Sequence, residues 1–76
     1  MVTAEDVKNW IEQGLPNCSA TVEGDGHHFE AVIVCSDFTG KKTMERHRMV
    51  YAALGDRMRQ DIHALSLKTL TPTECM

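Results

Sequence analysis

Apolar side chains at Val7, Trp10, Ile11 and Leu15 recur at three- and four-residue steps, the spacing of a helix that buries one face. Thr3 followed by Glu5 and Asp6 marks its start, a capping hydroxyl with negative side chains near the positive end of the helix dipole. Gly14 is expected to cap its C-terminal end, and Pro16 prevents continuation. Short strands are predicted over Ser19 to Glu23 and His28 to Val34, joined into a hairpin by the turn Gly24-Asp25-Gly26. Asp37 to Lys42 reads as a loop with Gly40 as its flexible point. Met44, His47, Tyr51, Leu54 and Met58 then repeat at helical steps, predicting one long helix or two short ones in series with these residues toward the core. A last strand runs from Ile62 to Leu70, alternating Leu65 and Leu67 with Ser66 and Lys68 until Pro72 stops it. The order helix, strand, strand, helix or helices, strand predicts an α+β fold with helices packed on one face of a three-stranded sheet.

The 76 residues form one expected domain, 1–76, with no internal repeat and no linker, and a domain this short has a thin core. A composition of 42% hydrophobic and 25% charged residues is that of an ordinary globular protein. The longest apolar run, Ala31 to Cys35, is too short to span a bilayer, and the N-terminus lacks a signal-like pattern, so a cytoplasmic protein without membrane partners is expected. Net charge −3 opposes general attraction to nucleic acid. Cys18, Cys35 and Cys75 show neither an even count nor Cys-x-x-Cys spacing, so reduced thiols are expected, Cys35 as a buried inert thiol and Cys18 partly exposed. No carboxylate pair, Ser/His/Asp set, phosphate-cradling glycine loop or zinc-ligand spacing stands in the chain, which predicts a protein that is not an enzyme.

Candidate chemistry concentrates in His27-His28, at the edge of the second strand, and His63, at the edge of the last. An imidazole so placed suits a borderline metal, though a turn-capping or edge-bonded histidine fits the same pattern. His47, at a core-facing step, reads as packing. Lys41, Lys42, Arg46 and Arg48 form a basic cluster that suits phosphates or an acidic partner, and equally a solvated helix face.

Three motifs in order now bring a family into view. Gly-Asp-Gly-x-His-Phe at 24–29, Phe38-Thr39-Gly40-Lys41 followed by Glu45 to Tyr51, and Ile62 to Thr69 ending in Thr71-Pro72 resemble the BolA family over nearly the whole chain. The resemblance implies a class II KH-like fold and, for many members, a heterodimer with a monothiol glutaredoxin of the Cys-Gly-Phe-Ser type. It further implies a 2Fe-2S cluster shared with that glutaredoxin and with glutathione, for cluster trafficking or iron sensing. His63 matches the family's histidine just before the last strand. His28 matches a second, variable ligand, a cysteine in other members, and the extra His27 competes for the same iron. Imidazole ligation lowers the negative charge of such a cluster and requires a neutral ring, so a cluster held this way is expected to loosen as pH falls through about 6.5. The resemblance also supplies a second expectation, DNA binding and transcriptional control through the KH-like fold and the basic helix, although the Gly-x-x-Gly loop of KH domains is absent. Cys75 departs from the family pattern, which puts a C-terminal helix in doubt and leaves that end frayed.

Overall fold

The structure is a computed structural model that describes residues 1–62 and 64–76. Helix α1 spans Ala4–Gly14, strand β1 Cys18–Gly24 and strand β2 His28–Cys35. A 3-10 turn at Ser36–Phe38 leads to α2 (Thr43–Leu54) and the one-turn α3 (Arg57–Gln60). Strand β3 (Ala64–Leu70) and a one-turn α4 (Pro72–Cys75) complete the order. The predicted α+β architecture is therefore present, with two helices in series between the second and third strands.

The sheet order is β1-β2-β3, antiparallel between the first pair and parallel between the second. Central β2 alternates strictly, burying Phe29, Ala31, Ile33 and Cys35 and turning His28, Glu30 and Val32 outward. The buried row meets Val7 and Ile11 of α1 and Val50 and Leu54 of α2 in a single core that also takes in Phe38 and Ile62. Glu12 ties α1 to the sheet edge: its carboxylate accepts the Ala20 N–H at 2.9 Å and pairs with Lys8 Nζ at 2.8 Å. That bond satisfies a donor which an edge strand otherwise leaves to solvent.

Five sequence expectations change. Gly14 is the last residue of α1 rather than a left-handed cap, the cap position being Leu15 at φ −130°. Gly14 is needed for approach, because a Cβ there would stand 2.6 Å from the Ala53 Cβ of α2. The buried line of α2 is Val50 and Leu54, whereas Met44 and Tyr51 face solvent. Arg46 accounts for the difference: the helix is rolled so that its guanidinium lies 5.8 Å from the Phe38 ring centroid, with its side chain only 11% exposed. The reduced-thiol expectation also fails, because Cys18 and Cys35 are joined by a disulfide; Cys35 is buried as expected, and Cys18 is buried rather than partly exposed. They pair directly across the antiparallel ladder, a proximity set by strand register and invisible in linear spacing.

At the C-terminus the chain does not fray after Pro72. Thr71 Oγ1 accepts the Glu74 N–H at 3.2 Å while Glu74 Oε1 accepts the Thr71 N–H at 2.9 Å, a reciprocal capping box with Pro72 at the first helical position. The last strand begins at Ala64, two residues later than expected, because Ile62 is taken into the core below α3 with its N–H bonded to the Arg57 carbonyl at 2.9 Å.

Candidate functional site

The β1–β2 connection is Asp25-Gly26-His27, and the Asp25 carboxylate organises it. Its Oδ1 accepts the backbone N–H groups of His27 at 2.9 Å and His28 at 3.0 Å. These two bonds, that to His28 foremost, hold the Asp25 carboxyl below its ordinary range. The Asp25 N–H returns to the His28 carbonyl at 3.3 Å, and Gly26 takes the left-handed φ of +99° that the turn requires. Gly24 allows close approach: a Cβ there would lie 2.5 Å from both the His28 carbonyl oxygen and Phe29 Cδ1. The result is a tightly specified turn with both imidazoles exposed at its rim.

Beside that rim runs the start of β3. His28 pairs with Ala64 and Phe29 with Leu65, so the first and third sequence motifs meet at one end of the sheet. His63, which precedes Ala64 in the chain, lies outside the described residues. An open groove of about 490 Å³ adjoins the turn, lined by Met1, Val2, Trp10, His27, Gln60 and Asp61, among others. Its Trp10 wall is stiffened by Arg57, whose guanidinium carbon sits 4.3 Å from the indole centroid. The Thr3 and Asp6 capping box holds the N-terminal segment beside the groove, with paired bonds of 3.0 and 3.1 Å.

Histidine and carboxylate chemistry here has a limit. Among the described residues no group of three or more His, Cys, Asp or Glu side chains stands close enough to hold a metal ion.

The basic cluster divides. Arg46 is spent internally: Nη1 donates to Glu74 Oε1 at 2.6 Å and to the Thr69 carbonyl at 3.2 Å, and Nε donates to the Lys41 carbonyl at 2.9 Å. The guanidinium, followed by the Thr71 N–H, drives the Glu74 carboxyl down to about 2. Arg46 thus joins α2, β3 and α4, and it presents little to a phosphate. Lys41, Lys42 and Arg48 remain exposed beside the first turns of α2, with Arg48 Nη2 directed at Met44 Sδ at 3.6 Å. His47 is half-buried. Sequence reasoning missed the organising role of Asp25 and the clamp at Glu74, although an aspartate two and three residues before the bonded amides, and the Thr-x-x-Glu spacing at 71–74, carry both.

Among the described residues, no helix is long and apolar enough to cross a membrane. A family profile described as BolA-like protein matches residues 11–74. The structure of a bolA protein homologue from Coxiella burnetii is 58% identical, with a TM-score of 0.94 over 99% of this chain and 97% of that one. Protein BOLA2 of Arabidopsis thaliana is 43% identical over 90% of this chain and 76% of its own length. The Escherichia coli DNA-binding transcriptional regulator BolA is 41% identical over 67% of this chain, a match that spans only 49% of that relative.

Proposed function

The chain belongs to the BolA family, and we propose that it is an adaptor that pairs with a monothiol glutaredoxin and, with glutathione, co-ligates a 2Fe-2S cluster. The observation that carries the reading is the pairing of His28 with Ala64, which brings the hairpin rim and the start of β3, where His63 precedes the strand, to one edge. The chain's own residues do three things in this reading. Asp25 fixes the backbone of His27 and His28 so that an imidazole is presented without first ordering the loop, which lowers the entropic cost of docking. Gly24 lets the turn close onto Phe29 of the core. His63, with His28 or His27, offers neutral nitrogen to iron that glutaredoxin and glutathione thiolates hold from the other side. Mixed ligation of this kind supplies a cluster that is less negatively charged than an all-thiolate one.

The test is an anaerobic titration of the protein into cluster-loaded monothiol glutaredoxin with glutathione, followed by visible absorption and circular dichroism. A new spectrum saturating at equal stoichiometry, lost in His63→Ala and weakened in His28→Ala, is the expected result. An unchanged spectrum with His63→Ala would overturn the ligand assignment. No new spectrum with the wild type would overturn the adaptor role.

A second reading rests on the exposed Lys41, Lys42 and Arg48 and on the printed name of the Escherichia coli relative, a DNA-binding transcriptional regulator. Phosphate contacts through these three side chains would make duplex binding fall steeply with salt, and Lys42→Ala would flatten that slope by roughly one charge. Salt-independent binding, or none, removes this reading.

A further inference from the structure

Cys18 is the first residue of β1 and Cys35 the last of β2, and the register places them face to face at the end of the hairpin remote from His28. Their sulfurs are bonded, their Cα atoms are 4.3 Å apart, and 17 positions of sequence separate them. The two ends differ in access. Cys35 is 1% exposed on the central strand, and the next segment is anchored by fully buried Phe38. Cys18 is 8% exposed and begins an edge strand, its N–H held by the Leu15 carbonyl at 3.0 Å. Strand ends at a sheet edge open more readily than the middle of a central strand. Cys75, the third cysteine, is a free and exposed thiol.

We propose that Cys18 and Cys35 form a reversible redox site that exchanges with a small monothiol of the glutathione class and couples the stability of the fold to the ambient thiol–disulfide ratio. The monothiol, as its thiolate, attacks Cys18 Sγ. The Cys18–Cys35 bond breaks, a mixed disulfide forms at Cys18, and Cys35 leaves as a thiolate that takes up a proton. A second monothiol attacks the mixed disulfide, freeing the Cys18 thiol and releasing the small disulfide. Two electrons thus pass from two monothiols to the cysteine pair. The site needs no iron and stands apart from the adaptor reading.

Linkage gives the proposal a magnitude. Closing a loop of this length restricts the unfolded chain enough to shift the folding equilibrium roughly hundredfold. By reciprocity the fold favours the bond over the free thiols by the same factor. The native protein should therefore require about a hundredfold higher ratio of squared glutathione to glutathione disulfide for half-reduction than the urea-unfolded chain does.

The experiment equilibrates the full chain in glutathione redox buffers with and without urea, quenches in acid, alkylates under denaturing conditions and weighs the product. One adduct, at Cys75, reports the bonded state and three report the reduced state. Half-reduction of the native protein within the accessible range, displaced by about a hundredfold from the unfolded chain, supports the proposal. Thermal melting of the reduced wild type should fall by about 10–20 °C, and Cys18→Ser should melt with the reduced protein and ignore added thiol. Three adducts on protein prepared without thiols, equal midpoints with and without urea, or a native bond that no glutathione ratio opens would each overturn it. The wild-type measurements decide the matter even where the serine variant does not fold.

Discussion

Replacing Gly24 with alanine tests whether close packing or backbone freedom governs the hairpin that carries His28. Gly24 is absent from the glycines with positive φ, so its role is not conformational. An added Cβ would stand 2.5 Å from the His28 carbonyl oxygen, 2.5 Å from Phe29 Cδ1 and 2.9 Å from Phe29 Cα. Comfortable carbon contacts begin near about 3.5 Å, so roughly 1 Å of displacement is needed. None of the three neighbours can give it cheaply. The carbonyl accepts the Asp25 N–H, and Phe29 is fully buried on the central strand. Overpacking of this kind costs about 1–3 kcal/mol, against about 0.4–1 kcal/mol regained by stiffening the unfolded chain. A net loss of about 1–2 kcal/mol corresponds to a fall in melting temperature of roughly 5–15 °C for a domain of this size. Equilibrium urea denaturation, fitted with a common slope, measures it.

Gly40 is the control, since it has φ +78° and nothing within 4 Å of an added Cβ. Asparagine tolerates the left-handed region, so Gly40→Asn should recover part of what Gly40→Ala loses, whereas Gly24→Asn should be no better than Gly24→Ala. A Gly24→Ala variant within about 0.5 kcal/mol of wild type, or one rescued by asparagine, would refute the close-approach argument.

Two further outcomes follow from the carboxylates. Asp25→Ala should leave the global melt little changed but speed amide hydrogen exchange at His27 and His28, whose N–H groups lose their acceptor, and unchanged exchange would remove Asp25 from its organising role. Glu74 is depressed from an ordinary 4.5 to about 2, so between these values the unfolded chain binds the extra proton and stability rises with pH. Its contribution is present above pH 4.5 and is lost as pH falls toward 2; Glu74→Gln should flatten the dependence of melting temperature on pH in that window, and parallel wild-type and variant curves would contradict the Arg46 clamp.

Motif order, the alternation through β2 and the helical step of Val7 and Ile11 were readable because each depends on neighbours within one element. The α2 face was misread for a related reason. Met44 and Tyr51 sit at acceptable helical steps, yet Arg46 finds Phe38, Glu74 and the Thr69 carbonyl on three other elements, and those distant partners set the roll of the helix.

By itself the sequence determined the elements, the buried faces of α1 and β2, the turn at Asp25 and the family, all of which are encoded over a few residues by periodicity, capping chemistry and short motifs. Only the tertiary structure decided that Cys18 faces Cys35, that Gly14 and Gly24 are there for close approach, and that His28 lies beside Ala64. Except at Gly24, whose neighbours His28 and Phe29 lie just across the turn, each of these is a distance between segments far apart in the chain. Such distances depend on strand register and helix docking, which the whole core selects together and no local pattern records.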